Sequence, residues 1–255
     1  MHNAATSRTP GSHSLAIALG AVRCAWVIGR RLAAAAVLTV AVAGCTGQAA
    51  QVSGYVYWAA ERTNAIGRAS LNGTGVNQHF ITGASTPVGV AVTSKYVYWA
   101  NNATGTIGRA SLNGTGVNQH FITGANVPDG VAVNGTYIYW ANNTTIGRAS
   151  LNGTGVNQHF ITGASGPSGL AVNATHVYWA NEYTSTIGRA SLNGTGVNQR
   201  FITGANSPSA LAINSTYVYW ANFKSGTIGC ASLNGTGVNQ RFITGAKVPD
   251  GVAAG

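Results

Sequence analysis

The sequence is short of charge, and of acid above all: Lys, Arg, Asp and Glu make up 7 per cent of 255 residues, with four acids in the whole chain. Charge this sparse, beside 35 glycines, points to tightly turned strands rather than to helices or a disordered chain. Cysteine is equally scarce. Cys24 and Cys45 lie near the N-terminus and Cys230 stands alone, so no disulfide framework can be drawn. No long apolar run is present either: Leu32 to Ala43 spans twelve residues, against the roughly twenty that cross a bilayer. A Ser-His-Asp series, a metal-ligand spacing and a phosphate-cradling glycine motif are all missing, since the many Gly-x-Gly steps have no helix to follow. The formal charge is +10, but Arg8, Arg23, Arg30 and Arg31 contribute to it before residue 45. Beyond them, ten Lys/Arg against four Asp/Glu leave +6 spread thinly, not massed as a nucleic acid would require. No nucleic-acid partner, cofactor or metal is expected.

The N-terminal region has a basic segment ending in Arg30-Arg31, the short apolar run, and then small residues, the order of an export signal. Its end, Val42-Ala43-Gly44-Cys45, resembles the lipobox of bacterial lipoproteins, in which the cysteine carries the lipid and becomes the first mature residue. That resemblance implies a signal over residues 1–44, lipid attachment at Cys45, a tether over 45–51, and an exported domain held at the membrane of the cell envelope. An ordinary secretory signal containing Cys45 is the alternative, and Arg30-Arg31 leaves open whether export is of the twin-arginine kind.

The rest of the chain is repetition. The phrase IGRASLNGTGVNQHFITGA runs from Ile66 to Ala84 and returns from Ile107, Ile146, Ile187 and Ile228. Two positions vary: His79, His120 and His159 become Arg200 and Arg241, and Arg68, Arg109, Arg148 and Arg189 become Cys230. Each copy follows a Tyr-Trp-Ala step, at Trp58, Trp99, Trp140, Trp179 and Trp220. That even period, about forty positions long, belongs to a repeat architecture filling residues 52–255.

Within one period four strands are legible: a at 89–92, b at 96–99, c at 106–112 and d at 119–123. Asn113-Gly114 turns c into d, and Pro128 marks the passage from d to the next a. Four antiparallel strands in each period predict an all-β fold, a β-propeller of five blades with the tryptophans between them. The first repeat lacks strand a, and Gly251 to Ala254 reads as a strand a without a b. The C-terminal strand is therefore expected to join the first blade and close the ring.

The text YWAN, IGRASLNG and P-x-G-V-A-V resembles the YWTD repeats of the low-density lipoprotein receptor family, across residues 52–255. The family acids are neutral here, as at Asn101 and Asn113, so functions resting on them do not carry over, and the family's usual blade number is six. A more distant resemblance, to the virginiamycin B lyase group, implies a metal-dependent enzyme using histidine and an acid. The histidines fit that poorly. His79, His120 and His159 share one position on the outer strand of different blades, and His176 replaces a Tyr.

The c-to-d loop is invariant, whereas the b-to-c loops differ in length and chemistry. All four acids, Glu61, Asp129, Glu182 and Asp250, fall in b-to-c or d-to-a connections, at one end of the disc. Loops on a rigid scaffold are where binding resides. With blades four, five and one adjacent in a closed ring, Glu61, Arg62, Asp129, Glu182, Tyr183, Phe223, Lys224 and Asp250 are the candidate binding residues. The expected function is a binding scaffold for a protein or envelope polymer, with a lyase- or lactonase-like propeller enzyme as the alternative.

Overall fold

The computed structural model describes residues 54–254. The expected export signal, its lipobox with Cys45, and the tether lie outside the described residues. Blade 1 holds β1 (Tyr55–Ala60), β2 (Ala65–Ser70) and β3 (Asn77–Thr82). Blade 2 holds β4 (Pro87–Val92), β5 (Tyr96–Asn101), β6 (Thr106–Ser111) and β7 (Asn118–Ile122). Blade 3 holds β8 (Val131–Val133), β9 (Tyr137–Ala141), β10 (Thr145–Ser150) and β11 (Asn157–Thr162). Blade 4 holds β12 (Pro167–Val172), β13 (His176–Asn181), β14 (Thr186–Ser191) and β15 (Asn198–Ile202). Blade 5 holds β16 (Pro208–Ile213), β17 (Tyr217–Asn222), β18 (Thr227–Ser232) and β19 (Asn239–Thr244). Neighbours in sequence pair antiparallel in every sheet, so the molecule is the five-bladed β-propeller that the period predicts.

The invariant phrase makes strands c and d and their hairpin. In blade 2 the Asn113 side chain accepts from both the backbone N–H (3.1 Å) and the hydroxyl (2.7 Å) of Thr115, and Gly114 takes φ +88°. An L side chain is strained in that region, which is why the turn is written Asn-Gly. On the sheet, Trp99 stands opposite Gly108 and lies flat on it, where any Cβ would collide with the indole. The same pairing recurs in all five blades.

Blades pack by a repeated junction. The trailing face of one blade offers Tyr98, Ala100, Ile107 and Ile122, and the leading face of the next sets Ile138, Trp140 and Ala149 against it. Trp99, Trp140, Trp179 and Trp220 are fully buried. The Trp140 indole N–H donates to the Gln158 side chain (2.9 Å), whose amide donates to the Thr123 carbonyl of the blade before (2.7 Å). Arg148 lies between the Tyr137 and Phe160 rings, 4.4 and 4.0 Å from their centroids, and donates forward to the Leu192 carbonyl (2.7 Å). The aromatic faces hold the guanidinium while the carbonyl takes its proton donors. At the axis Gly89, Gly130 and Gly169 leave no room for a Cβ against the next inner strand.

The five blades stand in a ring as expected, but the strand expected to complete blade 1 is not formed. Among the described residues blade 1 has three strands, and Gly251 to Ala254 forms none. The tail follows the path of the earlier connectors through Val248 (φ 53°, as Val127 at 50°) and Pro249, whose carbonyl accepts from Ser209 (3.1 Å) as that of Pro208 does from Ser168 (3.2 Å). Among the described residues Gly251 to Ala254 joins no sheet with β1. At this fifth junction Phe242 and Ile243 stay 51 and 52 per cent exposed, whereas Ile81, Ile122, Ile161 and Ile202 are buried.

Candidate functional site

The variable loops are held by a clamp that the repeat supplies. The amide of Asn101, fully buried at the end of β5, donates to the Thr106 hydroxyl (3.1 Å) and the Gln119 carbonyl (3.0 Å), while its oxygen accepts from the Ser85 backbone N–H (2.9 Å). Asn142, Asn181 and Asn222 do the same for Asn126, Ser165 and Asn206. The b-to-c loop and the incoming d-to-a connector are thereby locked together, and backbone bonds extend the lock: Asn102 N–H to Thr86, Asn143 to Asn126, Glu182 to Gly166, and Phe223 to Ser207. Both kinds of connection thus lie at one end of the disc, as the strand order requires.

The candidate residues divide on this frame. Glu182 accepts from the Ser207 hydroxyl (3.3 Å), and the Ser207 carbonyl also takes the Phe223 backbone N–H (3.2 Å), so the loops of blades 4 and 5 meet at Ser207. Tyr183 is 68 per cent exposed, its ring laid over Gly166, and Lys224 is exposed beside half-buried Phe223. Asp129 belongs elsewhere: its backbone bonds Gly89 and Ala141 at the start of an inner strand, and Asp250 holds the matching position after blade 5. Glu61 and exposed Arg62 sit in a 3-10 turn, Glu61–Thr63, on blade 1. The structure therefore brings together Glu182, Tyr183, Phe223 and Lys224, with Ser207 as the added member. Ser207 was hidden in the sequence because its connector reads as a turn.

The other chemistry-bearing groups sit in structural places. His79, His120 and His159 are exposed on outer strands. His176 starts β13, where its ring nitrogen Nδ1 pairs with the Thr175 hydroxyl (2.8 Å); burial first, and the Arg189 charge second, push its pKa down. Glu182 lies just past the other end of β13, so the whole length of an extended strand separates the two and they cannot share a metal. Among the described residues no three His, Cys, Asp or Glu side chains are grouped to hold a metal ion. Cys230 is buried, and burial raises its pKa against the opposing hydrogen bond from Tyr219, the reverse of an activated thiol. Burial likewise keeps the phenols of Tyr57, Tyr98, Tyr139 and Tyr178 protonated, with the neighbouring Arg opposing it.

No protein-family model matches the sequence, and no curated protein does. Solved structures do. The chain is similar to one in the nidogen/laminin complex (TM-score 0.66, 23% identity, over 75% of this chain and 79% of that one). It is similar to virginiamycin B lyase from Staphylococcus aureus (0.64, 19%, over 79% and 71%). A gluconolactonase from Xanthomonas campestris follows (0.62, 12%, over 76% and 73%). At these identities the likeness is one of fold, shared by binding and enzymatic propellers alike.

Proposed function

We propose that the protein is an extracytoplasmic binding propeller, tethered to the membrane of the cell envelope through a lipid on Cys45, that captures a protein or envelope polymer on the loops of blades 4 and 5. The observation that supports this most is the meeting of those two loops at Ser207. There an exposed tyrosine, an acid, a lysine and a half-buried phenylalanine stand on a frame fixed by buried Asn clamps. Rigid aromatic and charged groups on a rigid scaffold lose little entropy on binding, which suits capture of a partner. The YWTD-like repeat text and the nidogen-like fold favour the same use. The lyase- or lactonase-like alternative draws on fold and distant repeat likeness, and among the described residues no three His, Cys, Asp or Glu side chains are grouped to hold a metal ion.

The test is a pull-down from envelope extract with the full chain in detergent, against a variant carrying Glu182→Ala, Tyr183→Ala, Phe223→Ala and Lys224→Ala. The binding reading expects a partner retained by the parent and lost by the variant, with the melting temperature held. Equal retention by both would sink the site. Mass analysis of the mature N-terminus checks the anchor: a chain that does not begin at a lipid-bearing Cys45 would remove it.

A further inference from the structure

Asparagine followed by glycine is the step at which a backbone can react with its own side chain, because glycine has no Cβ to obstruct the attack of its nitrogen on the asparagine amide carbon. The chain has six such pairs. Five are the turns of the repeated phrase, at Asn72, Asn113, Asn152, Asn193 and Asn234, and the sixth is Asn134-Gly135, between β8 and β9.

In the five turns the attacking nitrogen is occupied. Each glycine N–H donates to the carbonyl of the serine three residues before it, at 2.8 Å from Gly73, Gly153 and Gly235 and at 2.9 Å from Gly114 and Gly194. Each glycine is also fixed at a φ between +80° and +89°. Such a nitrogen must break its bond and leave a settled turn before it can reach the side chain. Gly135 is held by neither device. It is exposed in a bend, donates no hydrogen bond among the described residues, lies outside the positive-φ region, and has nothing within 4 Å of where a Cβ would stand. Its target is prepared as well. Asn134 Oδ1 accepts from the backbone N–H of Thr136 (2.9 Å) and of Tyr137 (2.7 Å). Two such donors draw charge from the amide carbon and meet the charge that grows on the oxygen when a nucleophile adds there. The matching turns of other blades lack the glycine: Asn173 precedes Ala174, and Asn214 precedes Ser215.

We propose that Asn134 is a site of self-modification, with water as the only other reactant. The Gly135 nitrogen gives up its proton and bonds to Asn134 Cγ, the Cγ–Nδ2 bond breaks, and ammonia leaves with that proton, closing a cyclic imide. Water then adds to either imide carbonyl and opens its bond to nitrogen, leaving an aspartyl residue or the isomer in which the main chain runs through Cγ. Both products add a carboxylate to a chain that has four acids, all of them in other connections. The aspartyl product keeps an acceptor for Thr136 and Tyr137. The isomer lengthens the chain where Oδ1 seats Tyr137, whose ring lies 4.4 Å from Arg148, the guanidinium that ties blade 3 to Leu192 of blade 4. Time thus loosens the seat of a ring that supports the junction between blades 3 and 4.

Ageing of the full chain in detergent, in warm neutral buffer, tests this, with peptide mapping by mass across all six asparagines. The expected result is conversion of Asn134 to acid at least about fivefold faster than at any turn of the phrase, the factor by which one hydrogen bond on the nitrogen holds back its reaction. Gly135→Ala, which writes the blade 4 turn into blade 3, should bring Asn134 down to the rate of the others or below, with circular dichroism unchanged. Ageing in urea shows that the fold makes the choice: there all six should convert at similar rates. A folded chain in which all six convert alike, or in which any turn of the phrase leads, overturns the proposal, as does an Asn134 that stays amide while the unfolded chain converts. Aged parent carrying the isomer should unfold at a lower urea concentration than aged Gly135→Ala, and equal midpoints would overturn the loosening of Tyr137.

Discussion

Blade 3 and the two terminal blades are written in nearly the same words, yet they are held differently, and the difference shows what each repeated residue is for. In blade 3 the tryptophan, arginine and asparagine devices all have their partners: Trp140 is buried under blade 2, Arg148 reaches blade 4, and Asn142 with Thr145 locks the incoming connector. Blade 1 has Ala60 and Ala65 where that Asn and Thr should stand. Blade 5 has Cys230 for the arginine and Ala210 for the axial glycine. Residues have been replaced where the junction they serve is not made. Position in the ring, rather than the text of the repeat, decides what a side chain contributes.

The largest test of that contrast is the tryptophan. Trp140→Ala removes a fully buried indole and is expected to cost about 3–5 kcal/mol, whereas Trp58→Ala, at the open face, is expected to cost less than half as much. Urea denaturation of both variants checks this, and equal costs would mean that blade 1 is covered as blade 3 is. Next comes the arginine. Arg148→Cys, which writes the blade 5 residue into blade 3, loses a charged hydrogen bond and two ring contacts, about 2–3 kcal/mol. Cys230→Arg should return less than about 0.5 kcal/mol, because Phe242, the ring it would stack on, is half exposed where Phe160 is not. A full gain would show the fifth junction made. The clamp is smaller again. Asn142→Ala strands the Asn126 amide and should lower the urea midpoint by less than Arg148→Cys does. Ala60→Asn with Ala65→Thr should leave the midpoint of the parent almost unchanged, because Ala246 in the connector after blade 5 is less buried than Ala125, Ala164 and Ala205 in the clamped ones.

Much of this was legible in the sequence, and the limits have physical causes. The period gave the blades because four strands and their turns recur as one unit, and the tryptophans fell between blades because regular apolar spacing marks packing. The strand limits moved by one or two positions, since the hairpin and the Asn clamp extend b and shift d. The role of Arg148 was not legible: a lone cation in a strand looks solvated, and its two rings come from strands b and d, which only folding brings together. Its single loss, at Cys230, was the available signal. The ring of five blades was read correctly, whereas Gly251 to Ala254, read as a strand from its likeness to strand a, forms none. At the candidate site the neighbourhood of Glu182 and Phe223 was legible because it needs only consecutive blades.

The finest contrast lies inside the ring, at blade 4, where His176 stands in the place of Tyr96 and Tyr137. In blades 2 and 3 that tyrosine carries the arginine at 4.5 and 4.4 Å; in blade 4 Arg189 stacks on Phe201 at 4.0 Å, with an imidazole where the phenol ring would be. Burial and the Arg189 charge both disfavour the imidazolium, so the folded chain holds His176 with a lowered pKa. The unfolded chain then binds the proton more readily. The stability that this site contributes is present above the ordinary histidine value of about 6.5 and is lost as pH falls from there towards the folded value. His176→Tyr removes the titration and restores the phenol ring under Arg189. It should raise stability by about 0.5–1 kcal/mol at pH 7.5, and by more at pH 5.5, where the parent has weakened. Urea midpoints of the two proteins at both pH values decide it: a difference that stays constant, or shrinks on acidification, would show that His176 is not held neutral by the fold.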